Sequence, residues 1–391
     1  MLHSVVLAGV GAVVAALASV PVAASTPAVR GVTRTTVMVG GLVPADPAAA
    51  GADIGAKARF ARAGRIGGRT IEYLGAANSA DTTAVARLTS DAFAVVPAID
   101  LSDAAQTLAR AGIPFVGTAT SATWHGNRYA FGITGSGVSE RGRSPNPAWG
   151  RQLSALLGGS QGKTVAIVTD QPAAVPSASS STPRPAVLQD AGFTVATPIV
   201  LRDPPSMSDV TAVAQTLMTQ NPAAVLVLTP ESTVVALEQQ LAALGFVGTV
   251  ATEDALYSPN APAPGAGVTV LVTIAPLESR TAALRQMVDD IRAIDSAAAI
   301  TPAMVDGYFA ADFLVRVLRR VGRRLTVERF LDVANRDEFS YEIPATIGRS
   351  TWPAMHERAI PCGALVEGDG AQYVVAEPYR CVPDVTKPKR R

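Results

Sequence analysis

Two short apolar runs, Ala94-Val-Val-Pro-Ala-Ile99 and Ile113-Pro-Phe-Val116, bracket an alanine-rich helical stretch that closes at Gly112. Each run breaks into a polar turn, Asp100-Leu-Ser-Asp103 after the first and Gly117-Thr-Ala-Thr-Ser-Ala-Thr123 after the second. Apolar runs this short, with a helix between them, read as buried strands of a βαβ unit. Parallel strands joined by such a crossover place both turns on the same edge of a sheet. In an open parallel sheet that carboxyl edge is where ligands bind.

The alternation extends in both directions. Val37–Val43 is a strand, Asp53–Ala63 a helix, and Gly67-Gly-Arg-Thr-Ile-Glu-Tyr-Leu74 a turn into a second strand. Asp81 is placed to cap a helix carrying Val85 and Leu88. Residues 128–147 are rich in Gly, Ser and Pro and predict a crossing between lobes plus a surface loop. The pattern then restarts. Helices are expected at Trp149–Leu157, Asp209–Gln220 and Ser232–Leu244, and strands at Lys163–Val168, Phe193–Val200, Ala223–Leu228 and Gly248–Ala251. A low-complexity run, Ser177–Pro185, interrupts them as a surface segment. Strand Val268–Ile274 leads to a second crossing, followed by helices Ser279–Ile294 and Thr301–Val321 and a short helix from Thr326 to Ala334. A terminal hairpin turns at Gly368-Asp-Gly370. Strands alternating with helices, twice over, predict an α/β protein with two parallel sheets. The expected lobes are 32–137 with 275–345 and 138–274 with 346–385, leaving 386–391 as a tail.

The two ends and the charge narrow the function. Met1–Ser25 is apolar, with small residues Val22-Ala-Ala24 at a plausible cleavage site, so residues 1–24 read as a secretory signal peptide. An uncleaved anchor is the alternative, although Val5–Val20 is short for a bilayer span. No cysteine lies near the junction to carry a lipid. The expected location is therefore the cell envelope or beyond. Cys362 and Cys381, the only cysteines of this exported chain, are expected to form one disulfide worth about 3 kcal/mol. Without neighbouring histidines they make no zinc site. A net charge of +1 and 5% aromatic residues offer no footprint for nucleic acid.

Catalysis finds little support. The histidines are His3, His125 and His356, and no nucleophile elbow, metalloprotease helix or phosphate-binding loop occurs. No metal or cofactor is expected. The loops after the strands instead hold hydroxyls and carboxylates. Ser102 can present its hydroxyl and N–H to an anion, or it or Asp100 can simply cap the following helix. Thr118, Thr120 and Ser121 can donate to a carboxylate or form an ordinary polar turn. Glu253 can meet an ammonium group or remain a solvated loop carboxylate, with Asp254 beside it as the next candidate.

Val37-Met-Val-Gly-Gly-Leu-Val-Pro44, Gly68-Arg-Thr-Ile-Glu-Tyr-Leu74, Ala94-Val-Val96, Gly112-Ile-Pro-Phe-Val116 and Asp306-Gly-Tyr-Phe-Ala-Ala-Asp-Phe313 carry a resemblance. Over Val32–Pro378 the chain resembles the periplasmic binding protein type 1 family, in the branch of branched-chain amino-acid or amide receptors of ABC transporters. The resemblance implies two α/β lobes joined by three crossings and closing on a small ligand. It implies that Ser102 and the turn holding Thr118, Ala119, Thr120 and Ser121 bind an α-carboxylate. From the second lobe it implies Glu253 for the α-ammonium and the turn Thr229–Ser232, with Glu231. Asp170–Pro176 lacks the family's tyrosine-glycine entry and Pro44–Asp46 its aromatic lid, which leaves the side-chain pocket unassigned. The expected protein is a monomeric solute-binding component that meets a membrane permease. A ligand sensor without transport, or a hydrolase on the same scaffold, are the rival readings.

Overall fold

The computed structural model describes residues 29–382 apart from 120, 140–141, 144–145, 147, 171–184, 203, 254–255 and 259–266. The leader 1–24, Thr120, the loop 171–176, the low-complexity run up to 184, Asp254 and the tail 386–391 lie outside the described residues. Among the described residues no helix is long and apolar enough to cross a membrane.

The first layer runs β1 (Thr36–Val43), α1 (Ala52–Ala63), β2 (Thr70–Asn78), α2 (Thr82–Asp91), β3 (Ala94–Ile99), α3 (Asp103–Arg110), β4 (Phe115–Ala119) and β5 (Ala130–Ser136). Its five strands are all parallel, in the order β2-β1-β3-β4-β5. A short ribbon, β6 (Val138–Ser139) with β7 (Gly142–Arg143), begins the passage to the second layer. That layer holds α4 (Ala148–Leu156), β8 (Thr164–Thr169), α5 (Pro185–Asp190), β9 (Thr194–Val195), β10 (Ile199–Val200), α6 (Met207–Gln220), β11 (Ala224–Leu228), α7 (Glu231–Ala243), β12 (Thr249–Glu253) and β13 (Val268–Val272). The parallel part of its sheet is ordered β10-β8-β11-β12-β13. Both sheets thus share one winding, with the second-formed strand outermost and the first beside it.

The chain then returns to the first layer as α8 (Ala282–Ile294), α9 (Pro302–Val321), α10 (Val327–Ala334) and a hairpin, β14 (Ser340–Ile343) with β15 (Ile347–Thr351). It ends in the second sheet as β16 (Cys362–Gly368) and β17 (Tyr373–Cys381), added antiparallel to β13. Three passages therefore join the two layers. Cys362 and Cys381 face each other in the hairpin register and form the expected disulfide. A Cβ on Gly348 would sit 2.1 Å from the Cys362 sulfur, so only glycine lets β15 pass over the bridge.

The structure departs from the expected pattern of elements in two places. Residues 130–136, expected as crossing and loop, form β5. Its glycines broke the apolar run, yet Gly132 is needed because a Cβ there would lie 2.8 Å from that of Ala119 on β4. The expected strand Phe193–Val200 divides into β9 and β10 around Pro198, which has no N–H for the ladder. The chain beyond the expected lobe boundary at 345/346 continues to pack with the first layer. Ile347, Trp352, Met355 and Ile360 pack in the first core with Phe131 and Phe313, and the Trp352 ring lies 5.0 Å from that of Phe313.

Helix α9 organises this first core. Fourteen of its twenty residues are buried, because it lies between the sheet, α1 and the hairpin. It meets α1 at glycines: a Cβ on Gly55 would lie 2.0 Å from the Met304 carbonyl oxygen, and one on Gly307 1.9 Å from that of Ala52. One turn further, Arg59 Nε donates to Asp312 Oδ1 at 2.7 Å, with both side chains buried. Arg316 Nε lies 2.8 Å from Asp312 Oδ2. A buried pair of this kind contributes little net stability, since desolvation offsets the attraction, but stranding one charge costs about 3–5 kcal/mol. Asp312→Leu should therefore lower unfolding free energy by roughly that amount, whereas Asp312→Leu with Arg59→Met should recover most of the loss. Urea unfolding of both variants checks this; a double variant as unstable as the single one would contradict it.

Candidate functional site

Strands of both sheets end in polar turns at their carboxyl edges, the position at which doubly wound sheets bind ligands. In the first sheet the turns after β3 and β4 are tied together. The Leu101 carbonyl accepts from the Ser121 hydroxyl at 2.6 Å, from Trp124 Nε1 at 3.1 Å and from the Thr123 hydroxyl at 3.3 Å. Thr123 Oγ1 also lies 2.6 Å from Ser121 Oγ and donates to the Ser102 carbonyl at 3.2 Å. The Trp124 ring is wedged beneath, 4.8 Å from Phe115 and at right angles to it. Asp100 takes a left-handed conformation, with φ 46°, to turn the chain between buried Ile99 and Leu101.

These bonds place several of the expected residues. Ser121 is buried and its hydroxyl proton is committed to the Leu101 carbonyl, so that hydroxyl has no proton left to donate to an anion. Ser102 occupies the N-cap position of α3 but makes no capping bond with its side chain, and it is exposed. Thr118 is half-buried and sits opposite Ile99, while Ala119 is buried opposite Ser136. Ser136, buried at the end of β5, joins this edge and was not anticipated because β5 was not.

In the second sheet Thr169, Thr229 and Glu253 close β8, β11 and β12. The Thr252 hydroxyl donates to the Val227 carbonyl at 2.8 Å and locks the last two of these strands together. Thr229 Oγ1 is buried without a hydrogen-bond partner among the described residues. Glu231 is the first residue of α7 and exposed, where a negative charge suits the helix N-terminus. Glu253 is half-buried and engaged rather than free. Thr169 and Thr252 carry no signal in sequence beyond following an apolar run, whereas Thr229 belongs to the turn that the resemblance implied.

The passages between the layers lie side by side. Gly135 bridges Ala359, and Ser136 N–H donates to the Arg358 carbonyl at 3.0 Å, joining the first passage to the third. Ala275 N–H donates to the Thr346 carbonyl at 2.9 Å, and the hydroxyls of Thr281 and Thr346 are 2.7 Å apart, joining the second passage to the hairpin of the third. Asn146 Nδ2 donates to the Cys362 carbonyl at 2.7 Å. Tyr257 accepts from Leu277 N–H at 2.9 Å and donates to Glu278 Oε2 at 2.7 Å, which holds the chain after β12 against the second passage. Burial and the Glu278 carboxylate push the Tyr257 phenol far above its ordinary range.

Two histidines lie among the described residues. His356 is buried, donates from Nδ1 to the Ala130 carbonyl at 2.9 Å, and faces the Asn335 side-chain amide with Nε2. His125 is half-buried at the end of the Ser121–Trp124 turn. Among the described residues no group of three His, Cys, Asp or Glu could hold a metal ion.

The sequence matches the family described as "Periplasmic binding protein" over residues 36–372. No curated protein is similar enough in sequence to match. Similar solved structures include a fatty acid ABC transporter substrate-binding protein from Thermomonospora curvata, with TM-score 0.66 and 16% identity, covering 91% of this chain and 95% of that one. A leucine binding protein from Thermotoga maritima aligns with TM-score 0.62 and 15% identity over 90% of this chain and 99% of that one. An ABC transporter solute binding protein from R. palustris, in complex with benzoate, aligns with TM-score 0.58 and 18% identity over 89% and 98%. At these identities the likeness is one of fold.

Burial drives the His356 pKa down to about 4 from its ordinary 6.5. The unfolded chain therefore binds a proton that the folded chain refuses between those values. Stability contributed by the neutral ring is complete above pH 6.5 and is lost as pH falls towards 4. His356→Gln, which keeps a donor for Ala130, should be less stable at neutral pH but should flatten the stability slope between about pH 6.5 and 4. Thermal unfolding across that range checks it; an unchanged slope would show that His356 does not set it.

Proposed function

This chain belongs to the periplasmic binding protein family, and on that premise we propose that it is an exported solute-binding protein, capturing a small polar ligand between two lobes for a membrane permease of an ABC transporter. The observation that carries the reading is the matched winding of two sheets joined, among the described residues, through three adjacent passages. That arrangement lets two polar strand edges approach around one small ligand. A leader removed on export and a monomeric mature chain complete the proposal. We take the first lobe to extend to Ile360, since Ile347, Trp352, Met355 and Ile360 share one buried cluster with Phe131 and Phe313.

We further propose an amino acid or related amide as the ligand. The names of the similar structures differ on this point, covering a fatty acid, benzoate and leucine. What supports an amine-bearing ligand is the chemistry of the two edges. The first offers the Ser102 hydroxyl and the backbone of Thr118, Ala119 and Ser121, with Thr120, outside the described residues, among the candidates; these can donate to a carboxylate. The second offers the Glu231 and Glu253 carboxylates, which can accept from an ammonium. A buried ammonium needs such a partner, because an unpaired charge costs several kcal/mol.

Mass spectrometry of ligand retained on purification identifies the solute. For an amino-acid ligand, Glu253→Gln should weaken binding by about 2–4 kcal/mol while leaving size and hydrogen-bonding capacity nearly unchanged. Calorimetric titration decides the matter. Equal affinity in both forms would make Glu253 a structural carboxylate, and a retained fatty acid or aromatic acid would overturn the amino-acid reading outright.

A further inference from the structure

The last turn of α9 and the residues after it read Arg319-Arg-Val-Gly-Arg-Arg324. In a chain of net charge +1 this is a local concentration. The fold adds to it. The turn between Ile66 and Arg69 packs on the end of α9, where a Cβ on Gly67 would lie 2.9 Å from the Gly322 carbonyl oxygen. Arg69 donates from Nε to the Thr33 carbonyl at 2.7 Å and from Nη1 to the Arg323 carbonyl at 3.0 Å, drawing in the segment that carries Arg34. The exposed arginines Arg34, Arg65, Arg319, Arg320, Arg323 and Arg324 therefore gather at the pole where β1 and β2 begin. This is the opposite end of the first sheet from the candidate site.

Among the described residues none of these six makes an ion pair. The exposed carboxylates nearest in sequence, Glu72 on β2 and Glu328 in the first turn of α10, do not reach them. Helix ends do not account for the charge either. α1 and α9 both finish at this pole, and each C-terminus is worth about half a negative charge. Two such ends offset roughly one arginine of six. Apolar Val37, Ile66, Ile71, Leu318 and Leu325 line a shallow hollow between them.

We propose that this arginine face docks on the anionic phospholipid surface of a bilayer. The occupant follows from where the chain enters. The described chain begins at this pole, with Val29 packed on the first core and the Arg30 guanidinium donating to the carbonyls of Ala92, Ala111 and Gly112. The apolar run Val5–Val20 is separated from it by the eight residues 21–28, which span at most about 28 Å. While that run occupies a membrane, before the leader is removed, the arginine face is held near the lipid headgroups. Guanidinium groups suit phosphate oxygens through paired charge-assisted hydrogen bonds. A multivalent basic surface binds anionic lipid in proportion to the charges that reach within a Debye length.

The test is flotation of the full chain with vesicles of phosphatidylcholine alone and of phosphatidylcholine with about one-third phosphatidylglycerol. Phosphatidylcholine alone reports partition by the apolar run, and the increment with phosphatidylglycerol reports the face. The side chains of Arg320, Arg323 and Arg324 make no hydrogen bond among the described residues, so Arg320→Gln with Arg323→Gln and Arg324→Gln should fold. Arg151→Gln with Arg202→Gln and Arg349→Gln removes equal charge elsewhere. The proposal expects phosphatidylglycerol to raise partition of the parent and the control at least about tenfold at low salt, and of the face variant less than about threefold. High salt should abolish the increment. An increment kept by the face variant, lost equally in the control or absent from the parent would overturn it. So would retention on immobilised heparin without retention on the anionic vesicles, which would identify an acidic polysaccharide instead.

Discussion

The packing of α9 on α1 is the constraint from which the rest of the architecture follows. The two helices are some 250 residues apart in sequence, and everything belonging to the second sheet up to β13 lies between them. Their approach needs glycine at 55 and 307, because any side chain would strike the facing backbone. The Arg59–Asp312 pair then selects one register along the contact, since any slip would strand a buried charge. Its value lies in that selection, because desolvation cancels most of the attraction. Once α9 is seated, one face of the first sheet is covered by residues from beyond the second sheet. The chain must therefore leave the first layer, return, and leave again, and three passages result.

Those passages are narrow. They meet through a few bonds and bridges, among them Gly135 with Ala359, Ala275 with Thr346, and Asn146 with Cys362, and among the described residues no broad apolar core spans the two sheets. The large apolar clusters are confined to one layer or the other, apart from Cys362 and neighbours where the third passage arrives. A joint with few buried contacts opens at low free-energy cost, whereas each lobe moves as a packed body. The disulfide lies where the third passage enters the second sheet and stiffens that entry, with Gly348 lying across it. Rigid bodies on a thin joint suit capture by closure.

Much of this was legible in the sequence, for reasons that also explain what was not. The βαβ unit around Ala94–Thr123, the doubled alternation, the apolar helix from Thr301 and the cysteine pair are local patterns, and periodicity reports them. Strand β5 was hidden because its glycines break the apolar run, and Gly135 makes room for Arg358, more than 200 residues away in sequence. The β14–β15 hairpin was hidden because its burial depends on Phe313 and Phe131 from elsewhere. The site illustrates the same limit. The positions of Ser102, Ser121, Glu231 and Glu253 at strand and helix ends followed from pattern. That the Ser121 hydroxyl is consumed by a carbonyl twenty residues earlier, and that Ser102 does not cap, are tertiary facts no local pattern carries.

The central claim is that two rigid lobes close on a ligand about the three passages. Small-angle X-ray scattering of the purified protein, stripped of ligand and then saturated with the solute recovered from it, tests this most directly. The account predicts a smaller radius of gyration in the saturated form, with the scattering of each lobe preserved. Superimposable profiles for the stripped and saturated protein, with binding verified in the same sample, would contradict it.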